Sequence, residues 1–117
     1  MLEPIFATVV PVIDDYCVDV LIWRTLPEMR TANGMNARAD CLALCWQLDT
    51  RGKKGVIAQL HFAKTRLDIS LITHECQHAL LHLCKAMELE NDDHDEETIA
   101  TIAGHMVGRV WASVTEN

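Results

Sequence analysis

The chain has no C-x-x-C pair, no excess of basic residues and no uninterrupted apolar run of membrane-spanning length. Each absence removes a class. Five cysteines, Cys17, Cys41, Cys45, Cys76 and Cys84, are an odd number at irregular spacing, which argues against a disulfide framework or an all-cysteine zinc site. They are expected to be buried thiols in a reducing compartment. The apolar stretch Pro4 to Ile13 follows Glu3, contains Pro11 and has no positively charged lead-in, so it fits neither a signal peptide nor a membrane span. A soluble, cytoplasmic protein without a membrane partner is expected. Aromatics are few, with one Tyr, two Phe and three Trp, and Trp23, Trp46 and Trp111 are read as core or half-buried residues. Five Gly and three Pro give sparse punctuation, and there is no internal repeat.

What is present suits one folding unit. The 117 residues are 50% hydrophobic and 23% charged, which fits a single domain spanning residues 1–117 with enough apolar surface to offset its ordering entropy. Net charge is −7, and the imbalance is local. Glu88, Glu90, Asp92, Asp93, Asp95, Glu96 and Glu97 lie in one stretch without a Lys or Arg; the rest of the chain holds ten acids and ten bases. With no basic stripe, direct nucleic-acid binding is not expected.

Ile5 to Val10 is β-branched enough for a strand. Ile13 to Arg24 fits either a strand or a helix, because Val and Ile favour extension while Ile13, Cys17, Val20 and Leu21 keep helical spacing. Thr31 to Ala39, containing Asn33-Gly34, reads as a loop. Cys41 to Leu48 and Val56 to Phe62 are short apolar runs on either side of a polar, Gly-containing spacer, the pattern of an antiparallel hairpin. Leu67 to Met87 is too long for a strand and reads as a largely buried helix starting near Arg66, capped by Thr65 with Asp68 three residues on. A second helix is expected from about Glu96 to Ser113, its acidic start favoured by the helix dipole. The fold class is therefore α+β, a small antiparallel sheet packed on a helix pair.

The first of these helices carries His74-Glu75-Cys76-Gln77-His78, an H-E-x-x-H sequence. Six His and eight Glu in 117 residues would give it by chance about 0.02 times, so composition alone does not account for the motif. At 3.6 residues per turn His74 and His78 share one face and can reach one ion, with Glu75 beside it. Two His and a third protein ligand leave a coordination position for water, whose pKa Zn²⁺ lowers to about 7, and Glu75 can then act as general base. The third ligand is sought on the second helix, where Glu96 and Glu97 are adjacent. If Asp93 caps that helix, Glu96 completes a capping box and Glu97 is left as the ligand. Its face continues through Ala100, Thr101, Gly104 and Gly108, small enough for close approach of the two helices.

Other candidates follow the motif at lower weight. His82 reads as a core or supporting histidine, and His61 as a solvated strand residue with a substrate role as the lesser alternative. His94 belongs to the acidic segment, His105 lies two turns beyond Glu97, and Tyr16 is a candidate oxyanion donor.

His74-Glu75-Cys76-Gln77-His78 followed by Glu97-Thr98-Ile99-Ala100 resembles the H-E-x-x-H … E-x-x-A pattern of gluzincin metallopeptidases. The nearest likenesses are small phage-encoded members and the catalytic half of ImmA/IrrE-type proteins, over roughly Cys41 to Val114. Many gluzincins carry Asp or Asn one residue after that Ala, where this chain has Thr101. The resemblance implies a zincin-like (minigluzincin) fold, His74, His78 and Glu97 as zinc ligands, Glu75 as catalytic base, and a peptide or protein substrate. The expected function is a zinc-dependent hydrolase; the alternative is a catalytically inactive, zinc-bound interaction domain.

Overall fold

The computed structural model describes residues 2–49, 55–89 and 95–116. Strands β1 (Phe6–Ile13) and β2 (Tyr16–Trp23) form a hairpin. Its tight turn places Asp14 at a φ of 51°, a left-handed conformation that Asp tolerates better than most residues. The segment for which sequence left strand and helix open is thus a strand. A short helix α1 (Leu26–Ala32) follows, then β3 (Ala43–Gln47), β4 (Val56–Ala63), a 3₁₀ turn (Lys64–Arg66), α2 (Ile69–Ala86) and α3 (Glu96–Thr115).

The expected hairpin of β3 and β4 forms, with Cys45 opposite Leu60; most of its connecting loop, residues 50–54, lies outside the described residues. The sheet as a whole is not antiparallel. Its order is β1-β2-β4-β3, and β2 pairs β4 in parallel, with Val20 opposite Leu60. The crossover from β2 to β4 carries α1 and β3, and leaves β3 at an edge with β4 as its one sheet neighbour among the described residues.

Strand alternation gives the sheet two different faces. Val18, Val20 and Ile22 of β2 join Ala58, Leu60 and Phe62 of β4 in the main core, together with Ile72, Cys76, Ala79, Leu80 and Leu83 of α2 and Ile102, Met106, Val110 and Val114 of α3. Burying these apolar side chains is the main stabilising contribution to the fold. The other face is covered at one end by α1, where Met29, Trp23 and Ala63 are buried outside that core.

Helix α1 replaces part of the loop expected over Thr31–Ala39. Its start is written in the sequence as Thr25-Leu26-Pro27-Glu28: the Thr25 side chain accepts from the Glu28 N–H at 3.3 Å, and Pro27 sits in the first turn, where its missing N–H costs nothing. Helix α2 begins later than expected. Asp68 itself is the N-cap, its Oδ1 accepting from the Leu71 N–H at 2.9 Å, so it does not complete a box begun by Thr65. The helix ends in a Schellman turn, with Glu88 at a φ of 57° and the Leu89 N–H returning to the Cys84 carbonyl at 2.8 Å. It is also less buried than its apolar content suggested. Ile72, Glu75, Cys76, Ala79, Leu80 and Leu83 face inward, while His74, Gln77, His78 and Leu81 are exposed.

Helix α3 starts at Glu96 with Asp95 as N-cap and no side-chain cap hydrogen bond. The expected cap Asp93 lies outside the described residues, as do Glu90, Asp92 and His94. Glu96 is thus the first helical residue rather than the third, and the capping argument that set Glu97 above Glu96 loses its footing. The stripe of small residues also faces away from the helix contact: Thr101, Gly104 and Gly108 are exposed, and a Cβ on either glycine would meet nothing within 4 Å. Among the described residues no helix is long and apolar enough to cross a membrane.

Candidate metal centre

Helix α2 presents the H-E-x-x-H residues on two sides. His74 and His78 lie on the exposed side with their Nε2 atoms 3.3 Å apart and their rings at 77°. Two imidazole nitrogens bound to one tetrahedral ion at 2.0–2.1 Å stand about 3.4 Å apart, so the pair has the separation a shared zinc requires. The donors present fit that ion: two imidazoles on one helical face, reachable from solvent.

Glu75 points the other way around the helix, toward β3. It is 6% exposed, and no hydrogen bond to its carboxylate is formed among the described residues. Two cavities meet at it. One of about 280 Å³ is lined by Ala43, Leu44, Cys45, Gln47, Glu75 and His78. The other, of about 440 Å³, is lined by Leu42, Ala43, Ser70, Leu71, His74 and Glu75. Burial raises the carboxyl above its ordinary pKa, and the neighbouring His74 and His78 oppose that shift. No buried side-chain oxygen among the described residues lacks a partner, so the Glu75 carboxylate oxygens are reached from these cavities, where water, a ligand or a proton can meet them.

The thiols nearby are poor nucleophiles. Burial pushes Cys45 up to about 11 and Cys76 up to about 12. All five cysteines are free; Cys76 is buried, whereas the other four are only partly so, short of the burial expected.

The third ligand is not gathered with the histidines. Glu97 lies exposed in the first turn of α3, and among the described residues no three His, Cys, Asp or Glu side chains converge where an ion could be held. Glu96, also exposed, precedes Ile99 and Ala103 by three and seven residues and so borders the inward stripe of α3. Glu97 shares its side with the exposed Ala100, Thr101 and Gly104.

No protein-family model matches this chain, and neither curated proteins nor solved structures give a match to it.

The remaining candidates separate clearly. His61, expected in solvent, is 4% exposed. Its Nδ1 accepts from the Trp23 Nε1–H at 3.0 Å, which leaves Nε2 to donate to Gln59 Oε1 at 3.3 Å. Desolvation lowers its pKa to about 4. The neutral ring is a structural element, and the expectation of a solvated residue is overturned by α1 packing over this part of the sheet. His82 is half-buried and donates from Nε2 to the Leu48 carbonyl at 2.8 Å, in keeping with a supporting role. Tyr16 sits in the main core rather than in the lining of the cavities at Glu75, and His105 is exposed on α3. Trp23 is buried, while Trp46 and Trp111 are 45% and 38% exposed, more than expected. Sequence reading missed Arg30 and Asn33, whose contacts depend on the helix it overlooked; the Thr25-x-x-Glu28 cap was the signal.

Proposed function

We propose that this protein is a zinc-dependent hydrolase of peptide bonds with a zincin-like arrangement, His74 and His78 holding the metal and Glu75 acting as general base. One observation carries the reading: the Glu75 carboxylate opens onto two adjoining cavities beside two imidazoles at chelating separation. Zinc bound there would supply Lewis acidity, polarising a carbonyl oxygen and lowering the pKa of water. Glu75, beside the place the metal would occupy, would take the proton of the attacking water and return it to the leaving nitrogen. The third ligand on this reading is Glu97, as the motif implies, only if the start of α3 turns toward the histidines when metal binds; Glu96, at the border of the inward stripe, competes for the place.

Peptide is the favoured substrate because of the strand that borders the cleft. Among the described residues β3 has one sheet neighbour, and its other edge offers backbone groups on which an extended segment can pair, beside Glu75. Among the described residues the cavity lining carries no charged side chain besides Glu75 and the histidines.

Two measurements test the proposal. Purified protein should bind one equivalent of zinc by elemental analysis, and a stable, folded protein with no zinc affinity would overturn the reading. Glu75→Gln should keep the zinc and lower hydrolysis of an unstructured protein such as casein by roughly 10²-fold or more. Equal activity in the variant would remove the catalytic assignment and leave a zinc-bound interaction domain.

A further inference from the structure

We infer that Asn33 and His82 are positioning residues that hold β3 from opposite sides and so set the width of the cleft beside Glu75. The inference rests on the hydrolase reading above.

With sheet hydrogen bonds on one side only, β3, five residues long against eight in the other edge strand β1, has the fewest ladder bonds to hold it. The structure ties it at three further points. Before the strand, the buried Arg30 of α1 donates from Nε to the Cys41 carbonyl at 2.9 Å and from Nη1 to the Ala37 carbonyl at 3.1 Å. Near its end, the Trp46 Nε1–H donates to Asn33 Oδ1 at 2.8 Å. Asn33 is the C-cap of α1, and its Nδ2 donates to the Met29 carbonyl at 2.8 Å while lying 3.4 Å from His61 Nδ1. Its amide orientation is thereby fixed, because Trp46 and Met29 each admit one polarity. One residue past the strand, the Leu48 carbonyl accepts from His82 Nε2, two turns along α2 from Glu75.

These contacts approach from different elements. Asn33 and Arg30 act from α1 on the outer face of the sheet, and His82 acts from the helix that carries the metal pair. Strand and catalytic helix are therefore braced against each other at Leu48, and the strand is kept from tilting at Trp46. Neither Asn33 nor His82 lines the cavities at Glu75, so their effect must pass through β3.

The test uses the zinc-loaded full chain and two probes, acetohydroxamic acid, which engages the metal alone, and an uncharged tripeptide hydroxamate, which also lies along β3. Asn33→Ala and His82→Ala should each weaken the tripeptide probe about tenfold and leave acetohydroxamic acid within twofold, with amide exchange across β3 faster. Asn33→Asp keeps an acceptor for Trp46 and His82→Gln keeps a donor for Leu48, and both should recover most of the lost affinity. Equal weakening of both probes, or no change in either, overturns the positioning role. If acetohydroxamic acid fails to bind the zinc-loaded wild type, the metal reading itself has failed and takes this inference with it.

Discussion

The sheet separates two groups of histidines that differ in what their neighbours leave undone. On the outer face His61 uses both ring nitrogens, one accepting from Trp23 and one donating to Gln59. On α2, His74 and His78 have each other at 3.3 Å and stand in solvent, while the carboxylate of Glu75 between them opens onto the cavities beside β3. A polar group buried with its partners in place contributes to the fold. Groups set together with coordination capacity left open add little to the fold, and are poised for a ligand to complete them. Burial alone would rank His61 as the functional residue; the account of partners reverses that order.

Substitution should expose this contrast most strongly. His61→Ala removes the acceptor of a buried indole N–H and opens a cavity, at a cost of about 2–4 kcal/mol. His74→Ala changes an exposed side chain, and without metal its unfolding free energy should stay within about 0.5 kcal/mol of wild type. With zinc the order inverts: a hundredfold excess over Kd stabilises wild type by about 2.7 kcal/mol, and His74→Ala should lose that increment while His61→Ala keeps it. Denaturant unfolding with and without zinc reads both. A zinc increment that survives in His74→Ala would break the comparison.

A smaller effect concerns pH. The His61 pKa is depressed from 6.5 to about 4 on folding, so between those values the unfolded chain binds the extra proton. Stability should be fully present above pH 6.5 and decline as pH falls toward 4, by at most about 3 kcal/mol from this residue. His61→Gln should begin less stable at pH 7 and show a flatter slope over that window. Parallel slopes for the two proteins would show that His61 is not the group responsible.

How much of this could be read in the sequence depended on the range of the signal. The H-E-x-x-H motif is local, and spacing along one helix suffices to bring His74 and His78 together. The hairpin of β3 and β4 is local too. The parallel pairing of β2 with β4 is not, since nothing in Tyr16–Trp23 alone records that its partner lies some forty residues on. His61 was misread for the same reason: its burial is created by Trp23 and Asn33, which are distant in sequence. Glu97 shows the limit from the other side, because matching a motif does not state which way a side chain turns when the helix start moves by two residues.

That outward turn of α3 permits the finest test of the two-sided reading. Gly104 and Gly108 follow Ala100 on the exposed side, and a Cβ added at either would meet nothing within 4 Å. Both lie in the interior of α3, where glycine costs roughly 0.5–1 kcal/mol relative to alanine. If the exposed side of α3 faces solvent, Gly104→Ala and Gly108→Ala should each stabilise the protein by about that amount, and the double variant by nearly the sum, since the two are separated by one turn and share no partner. Zinc stoichiometry should be unchanged. If instead these glycines admit α2 to close contact, as their sequence pattern suggested, each added methyl would have to be accommodated at that contact and the variants would lose stability. The sign of a change of less than 1 kcal/mol therefore decides whether α3 turns its small residues toward the metal helix or away from it, and with them the side on which Glu97 stands.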